Sequence, residues 1–176
     1  MPEKKTLERA REDAREGKAP STQAGEFVRE EMEHIREGKH GARSPQQAIA
    51  IGLSKARRAG VKLPPPRKGK ASGSTRTRAA RDYEKGQQGS TRKPSSRRSR
   101  AVSNALKREG SEAASPKALA RQAYRSAQRR GRADLRSAAQ RAVRTKGRTG
   151  LRQAARKAAR TRARWTARFR LRRARR

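Results

Sequence analysis

Hydrophobic residues in this chain are sparse, spaced at helical intervals and punctuated by glycine. The clearest segment is 44–60. Ile49, Leu53 and Ala56 recur at i, i+4 and i+7, with Ala48, Gly52 and Ala59 beside them on one stripe. Ser44 suits an N-cap, because its hydroxyl can accept from an orphan N–H of the first turn. Pro45 suits the first helical position, where no donor is needed. Lys55, Arg57 and Arg58 set positive charge at the negative end of the helix dipole, and Gly60 supplies a stop. Upstream, Ala24, Phe27, Val28, Met32 and Ile35 predict an amphipathic helix capped by Ser21 or Thr22 and ended by Gly38. A first helix, Thr6 to Glu16, has a thinner face of Leu7, Ala10 and Ala14 and stops at Gly17.

The large apolar residues of 4–63 are enough for a three-helix mini-core, but a domain of about 60 residues is marginal on surface-to-volume grounds. Helices two and three are therefore expected to pack across Lys39–Arg43, with helix one docked loosely or splayed away. The basic third helix also suits a helix-turn-helix. Packing of neighbouring helices accounts for the same pattern without a groove-reading role.

Pro64–Pro66 set an extended exit, and the Gly, Ser, Thr, Arg and Lys of the following stretch leave almost nothing to bury. Residues 64–100 are predicted to be a disordered basic linker, in which Arg78 to Lys85 around Tyr83 would form at most a turn or two of helix on a partner. From Arg100 onward the chain turns to Ala, Arg and Leu. Val102 and Leu106 open a short helix stopped by Gly110, and Ser115-Pro116 repeats the Ser44-Pro45 start before Leu119 and Ala123. A 16-residue repeat follows: Leu135-Arg136, Ala138-Ala139 and Ala142 match Leu151-Arg152, Ala154-Ala155 and Ala158, with stops at Gly131 and Gly147. Such units predict short helices that bury no core alone and that arginine repulsion keeps partly unfolded until phosphates neutralise them. The expected fold class is mostly α with extensive disorder: a two- or three-helix unit at 4–63, the linker, and an Ala/Arg-rich tail at 101–176.

Charge sharpens this division. The chain carries a formal +36, yet residues 1–40 hold 9 Lys/Arg against 10 Asp/Glu, so the excess lies downstream. A partner that is a polyanion is expected, nucleic acid first and anionic lipid second. Cysteine is absent, which excludes disulfides and thiolate metal sites and suits a reducing compartment. Met1-Pro2-Glu3-Lys4-Lys5 leads into charge, and no run approaches a membrane span, so a cytoplasmic, nucleoid location is expected.

Catalysis finds little support, and neither enzyme activity nor a cofactor is expected. His34 and His40 stand six apart, off the i, i+4 spacing of a helical zinc pair, so no metal site is expected. Glu30, Glu31, Glu33 and Glu37 are read as salt-bridge partners on a soluble face. Gly69-Lys70 lacks the earlier glycine and the strand of a phosphate loop. Nucleic-acid contact is assigned to Lys55, Arg57, Arg58 and Lys62 and, in the tail, to Arg121, Arg125, Arg129, Arg136, Arg141, Arg144, Arg152, Arg156, Arg160, Arg164 and Arg168. Trp165 and Phe169, at i, i+4 among arginines, are candidates for base stacking, for a lipid interface, or for packing on Leu151 and the alanine stripe. The expected activity is sequence-tolerant DNA binding of a nucleoid-associated, histone-like kind. An RNA or ribosome role and binding to an anionic membrane surface are the alternatives. The acidic helices one and two are expected to limit self-association or to offer a protein contact.

The segment Arg43 to Gly60, with Gly25-Glu26-Phe27-Val28-Arg29-Glu30-Glu31 and Arg36 to Gly41 before it, resembles a family of small basic bacterial proteins of uncharacterised function, over about residues 4–66. That resemblance implies a bacterial cytoplasmic protein and carries no activity or functional residues to transfer. The tail is similar in composition to the basic tails of linker-histone-like bacterial proteins, with Arg in place of most of their Lys.

Overall fold

In a computed structural model, residues 2–89 and 95–174 are described, apart from the side chains of Thr145 and of 164–174. The described residues are helical without strands: α1 (Lys4–Arg15), α2 (Pro20–Arg36), α3 (Pro45–Arg58), α4 (Gly73–Gln87), α5 (Ser96–Lys107), a 3-10 turn (Glu112–Ala114) and α6 (Pro116–Ala174). They divide into two compact units, Met1–Ala123 and Tyr124–Arg176.

Within the first unit α2 is central, packed against α1 on one side and α3 on another. Its start differs from the expected Ser21 or Thr22 cap: Ala19 takes the N-cap and Pro20 opens the helix, the arrangement that Ser44 and Pro45 give α3. In α3 the Ser44 hydroxyl accepts from the Gln47 N–H at 3.2 Å. The innermost stripe of α3 is Ala48, Gly52 and Ala56, while the larger Ile49 and Leu53 are half-buried at its flanks. Small residues face α2 because the backbones approach closely. A Cβ on Gly52 would lie 2.7 Å from the Val28 Cα and 2.9 Å from its nitrogen.

Two apolar clusters form the core. Ala10, Ala24, Phe27, Ala56 and Val61 make one, flanked by Leu7, Leu53 and Leu63. Met32, Ile35, Ala42, Ala48, Ala113 and Ala114 make the other, flanked by Val28, Ile49 and Leu119. Phe27 and Ile35 are fully buried, each a contribution of about 1.5–3 kcal/mol from area removed from water. Helix α1 is docked through Ala10 and Leu7 rather than splayed.

The compact unit extends past residue 63, where composition placed its end. Ala113 and Ala114 of the 3-10 turn fill the second cluster, and the Arg36 Nε donates to the Ala114 carbonyl at 3.1 Å. The loop after α2 is pinned to the end of α5 by Gly41 N–H to the Leu106 carbonyl (2.9 Å) and Ala42 N–H to the Gly110 carbonyl (3.2 Å). Within the stretch read as linker, α4 is helical and packs on α3, capped by the Ser72 hydroxyl. Its docking rests on charge and close backbone approach more than on aliphatic burial. Asp82 accepts from the Ser54 hydroxyl at 2.6 Å and from the Arg58 Nε at 2.7 Å, and a Cβ on Gly86 would collide with the Arg57 carbonyl. Residues 90–94 of the expected linker lie outside the described residues.

In the second unit, α6 is interrupted at Gly131 (φ 71°) and Gly147 (φ 63°), the two stops expected from the repeat. The start of α6 belongs to the first unit, where Ser115 caps it by accepting from the Ala118 N–H at 3.2 Å.

Candidate nucleic-acid interface

The 16-residue spacing of Leu119, Leu135 and Leu151 sets the same face in each helical segment of α6. At 100° per residue, Arg121, Arg125 and Arg129 share one stripe, opposite Leu119, Ala123 and Ala127. In the next segment Arg144 lies opposite Leu135, with Arg136 and Arg141 on either side of it, and Arg152, Arg156 and Arg160 form a stripe in the third. All nine of these arginines are exposed. Arg141 also donates to the Ser137 hydroxyl at 2.9 Å, one turn back, which orients its guanidinium along the helix. The side chains of Arg164, Trp165, Arg168 and Phe169 lie outside the described residues.

The four basic candidates around α3 are placed differently. Lys55 turns onto α2, where its ammonium donates to Glu31 Oε1 and, at 3.3 Å, to Glu30 Oε1. Arg57 is buried, its Nε donating to the Leu63 carbonyl at 3.2 Å. Burial pushes its guanidinium below the ordinary arginine value, against the pull of Asp82. Arg58 pairs with Asp82 and keeps more than half of its side chain exposed. Lys62 is exposed. Lys55 and Arg57 thus spend their donors inside the unit, because α2 supplies carboxylates and the chain after α3 supplies carbonyls.

The carboxylates of α2 also depart from expectation. Glu30 and Glu31 are buried, not part of a solvated face. Glu30 Oε2 accepts from the Glu3 N–H at 3.2 Å. Around Glu31 stand both histidines of the chain: His40 Nε2 lies 3.5 Å from Glu31 Oε2, and His34 Nδ1 lies 3.9 Å from Glu31 Oε1. The rings meet edge to face, with centroids 6.0 Å apart. Along a helix, a separation of six would set them on different faces. Here α2 ends first, Gly38 N–H bonding to the Ile35 carbonyl and Lys39 N–H to the His34 carbonyl, so the chain reverses and returns His40 to the last turn. The Arg-Glu-Gly-Lys stop is the signal for that reversal. At the rim, Glu3 accepts from His34 and Lys39, which hold its carboxyl below the ordinary glutamate value.

Residues 15–68, which span all of α2 and α3 and the Glu31 cluster, match a family of unknown function (DUF6496). The match is in keeping with the resemblance of 4–66 to an uncharacterised family, and it ends before α4 and the tail. No curated protein and no solved structure matches the chain. Among the described residues, no helix is long and apolar enough to cross a membrane.

Proposed function

We propose that the protein is a non-enzymatic, sequence-tolerant DNA-binding protein of the nucleoid-associated, histone-like kind, and that its tail supplies the phosphate contacts. The observation that carries this reading is the recurrence of exposed arginines in all three segments of α6. Residues 117–176 hold 23 Lys/Arg against one acidic residue. Arginine offers phosphate a planar, bidentate, weakly hydrated contact. The middle segment, 132–146, is about 22 Å long at 1.5 Å per residue, and a helix of this kind is admitted by the major groove of B-DNA. A-form RNA closes that groove to side chains, which favours DNA over RNA. Contacts from these arginines to phosphate carry no sequence information, which supports sequence tolerance. The first unit, with Lys55 and Arg57 turned inward, contributes little direct contact and is left to hold the tail or meet another protein.

The test is titration of the full chain against mixed-sequence DNA duplex, matched RNA duplex and anionic vesicles over a range of salt. With about half of the tail charges engaged on DNA, log K against log[salt] falls with a slope of about −10. Replacing Arg136, Arg141 and Arg144 with Gln makes that slope shallower by about 0.9 for each phosphate no longer engaged. A slope near about −2 would overturn the reading, as would tighter binding to RNA. Vesicles that displace DNA and blue-shift the Trp165 emission would replace it with membrane-surface binding.

A further inference from the structure

The geometry points to a divalent metal site, of the zinc class, formed by Glu31, His34 and His40. One ligand atom from each lies within 4.8 Å of the others. The hydrogen bonds around the rings select the neutral tautomer of each. His40 Nδ1 is 3.1 Å from the Gly41 carbonyl, which can only accept, so in the neutral ring Nδ1 carries the hydrogen and Nε2 turns a lone pair toward Glu31. His34 Nε2 is 2.8 Å from the Glu3 carboxylate, which likewise accepts, so in the neutral ring Nδ1 is the lone-pair atom facing Glu31. Each imidazole thus has one nitrogen tied to an oxygen and the other aimed at a shared point, the outer-shell pattern that orients metal-binding histidines.

A second observation is Glu31 itself. Its side chain is 1% exposed, and its Oε2 has no hydrogen-bond partner among the described residues. A buried carboxylate oxygen facing a nitrogen lone pair is a repulsive pair that a cation between them converts to attraction. Lys55 does not fill this role, since it sits on Oε1 and is shared with Glu30. Two imidazole nitrogens and one carboxylate oxygen suit zinc, and cobalt(II) as its spectroscopic substitute, more than calcium or magnesium. Bound there, the ion would tie the end of α2 to the loop that follows it.

The chain has two histidines and no cysteine, so imidazole coordination in an untagged protein has one source. The experiment is cobalt(II) titration of the untagged full chain near neutral pH, followed by zinc displacement, with the imidazole nitrogens observed by NMR. Expected are uptake of one cobalt with ligand-field bands, loss of those bands to zinc, and zinc-induced shifts at His34 Nδ1 and His40 Nε2. His34→Gln and His40→Gln, checked for fold by circular dichroism, should each weaken cobalt affinity by about tenfold or more. Three results would overturn the proposal: no stoichiometric uptake, equal uptake by the double histidine variant, or a His40 Nε2 that stays protonated at saturating zinc. The NMR readout uses the unaltered protein, so it stands even if a variant fails to fold.

Discussion

Arg58 and Asp82 join α3 to α4 through a hydrogen bond of 2.7 Å between Nε and Oδ1, and Asp82 is nearly buried beside it. Because Ser54 donates to the other carboxylate oxygen, one aspartate holds two residues of α3. Asp82→Ala removes both links at once. Hydrogen bonds to charged groups and screening of the exposed guanidinium together set the loss at about 1–2 kcal/mol. Amide exchange should quicken across Gly73–Gln87 while Phe27–Ile35 stays protected. Unchanged exchange in α4 would show that this helix is held by something else.

Gly52 is the second test of the scaffold. A methyl group there meets the backbone of Val28, which cannot rotate away as a side chain can, so α2 and α3 must separate. Gly52→Ala should cost about 1–3 kcal/mol, as overpacking does, despite the gain in helix propensity. Denaturant unfolding followed by far-ultraviolet dichroism measures it, and a neutral or stabilising result would place the two helices farther apart than described.

Lys18, just past α1, hydrogen-bonds to Asp13 at 2.7 Å and pairs with Glu16 at 2.6 Å. Those bonds raise its ammonium above the ordinary lysine value of 10.5. A raised folded-state value means that the stabilising link is fully present below that ordinary value and is lost only as pH rises through the higher one. The difference in α1 stability between the native chain and Lys18→Gln should therefore be flat from acid-neutral to mildly alkaline pH and shrink only at strongly alkaline pH. Thermal scans across that range check it, and a difference that vanished near neutrality would contradict the pairing.

What is legible in the chain is local. Ser44, Pro45 and Gly60 announce α3 because capping, a missing donor and a positive-φ stop act within one turn. The breaks at Gly131 and Gly147 are readable for the same reason. Helix α4 is not, since its docking residues, Ala79, Asp82 and Gly86, carry no apolar period and gain meaning only opposite Ser54, Arg57 and Arg58. Ala113 and Ala114 are hidden likewise, as two small residues that complete a core begun with Met32 and Ile35. The exposure of the tail arginines is readable from composition. The inward turn of Lys55 and Arg57 depends on what α2 and the chain after α3 present to them. Glu31 and the histidines are hidden from linear spacing, because the helix along which a separation of six would be measured ends before His40.

Gly131 and Gly147 leave, between and beyond them, helical rods joined at backbone angles that glycine alone accepts without steric cost. Rods of this kind need not follow a single straight axis. If the tail binds DNA as proposed, each can seat on its own turn of a bent or crossing duplex while its neighbours hold the local concentration high. Release would then proceed by peeling, one rod at a time, and a strongly charged tail would be handed from one duplex to another without letting go entirely.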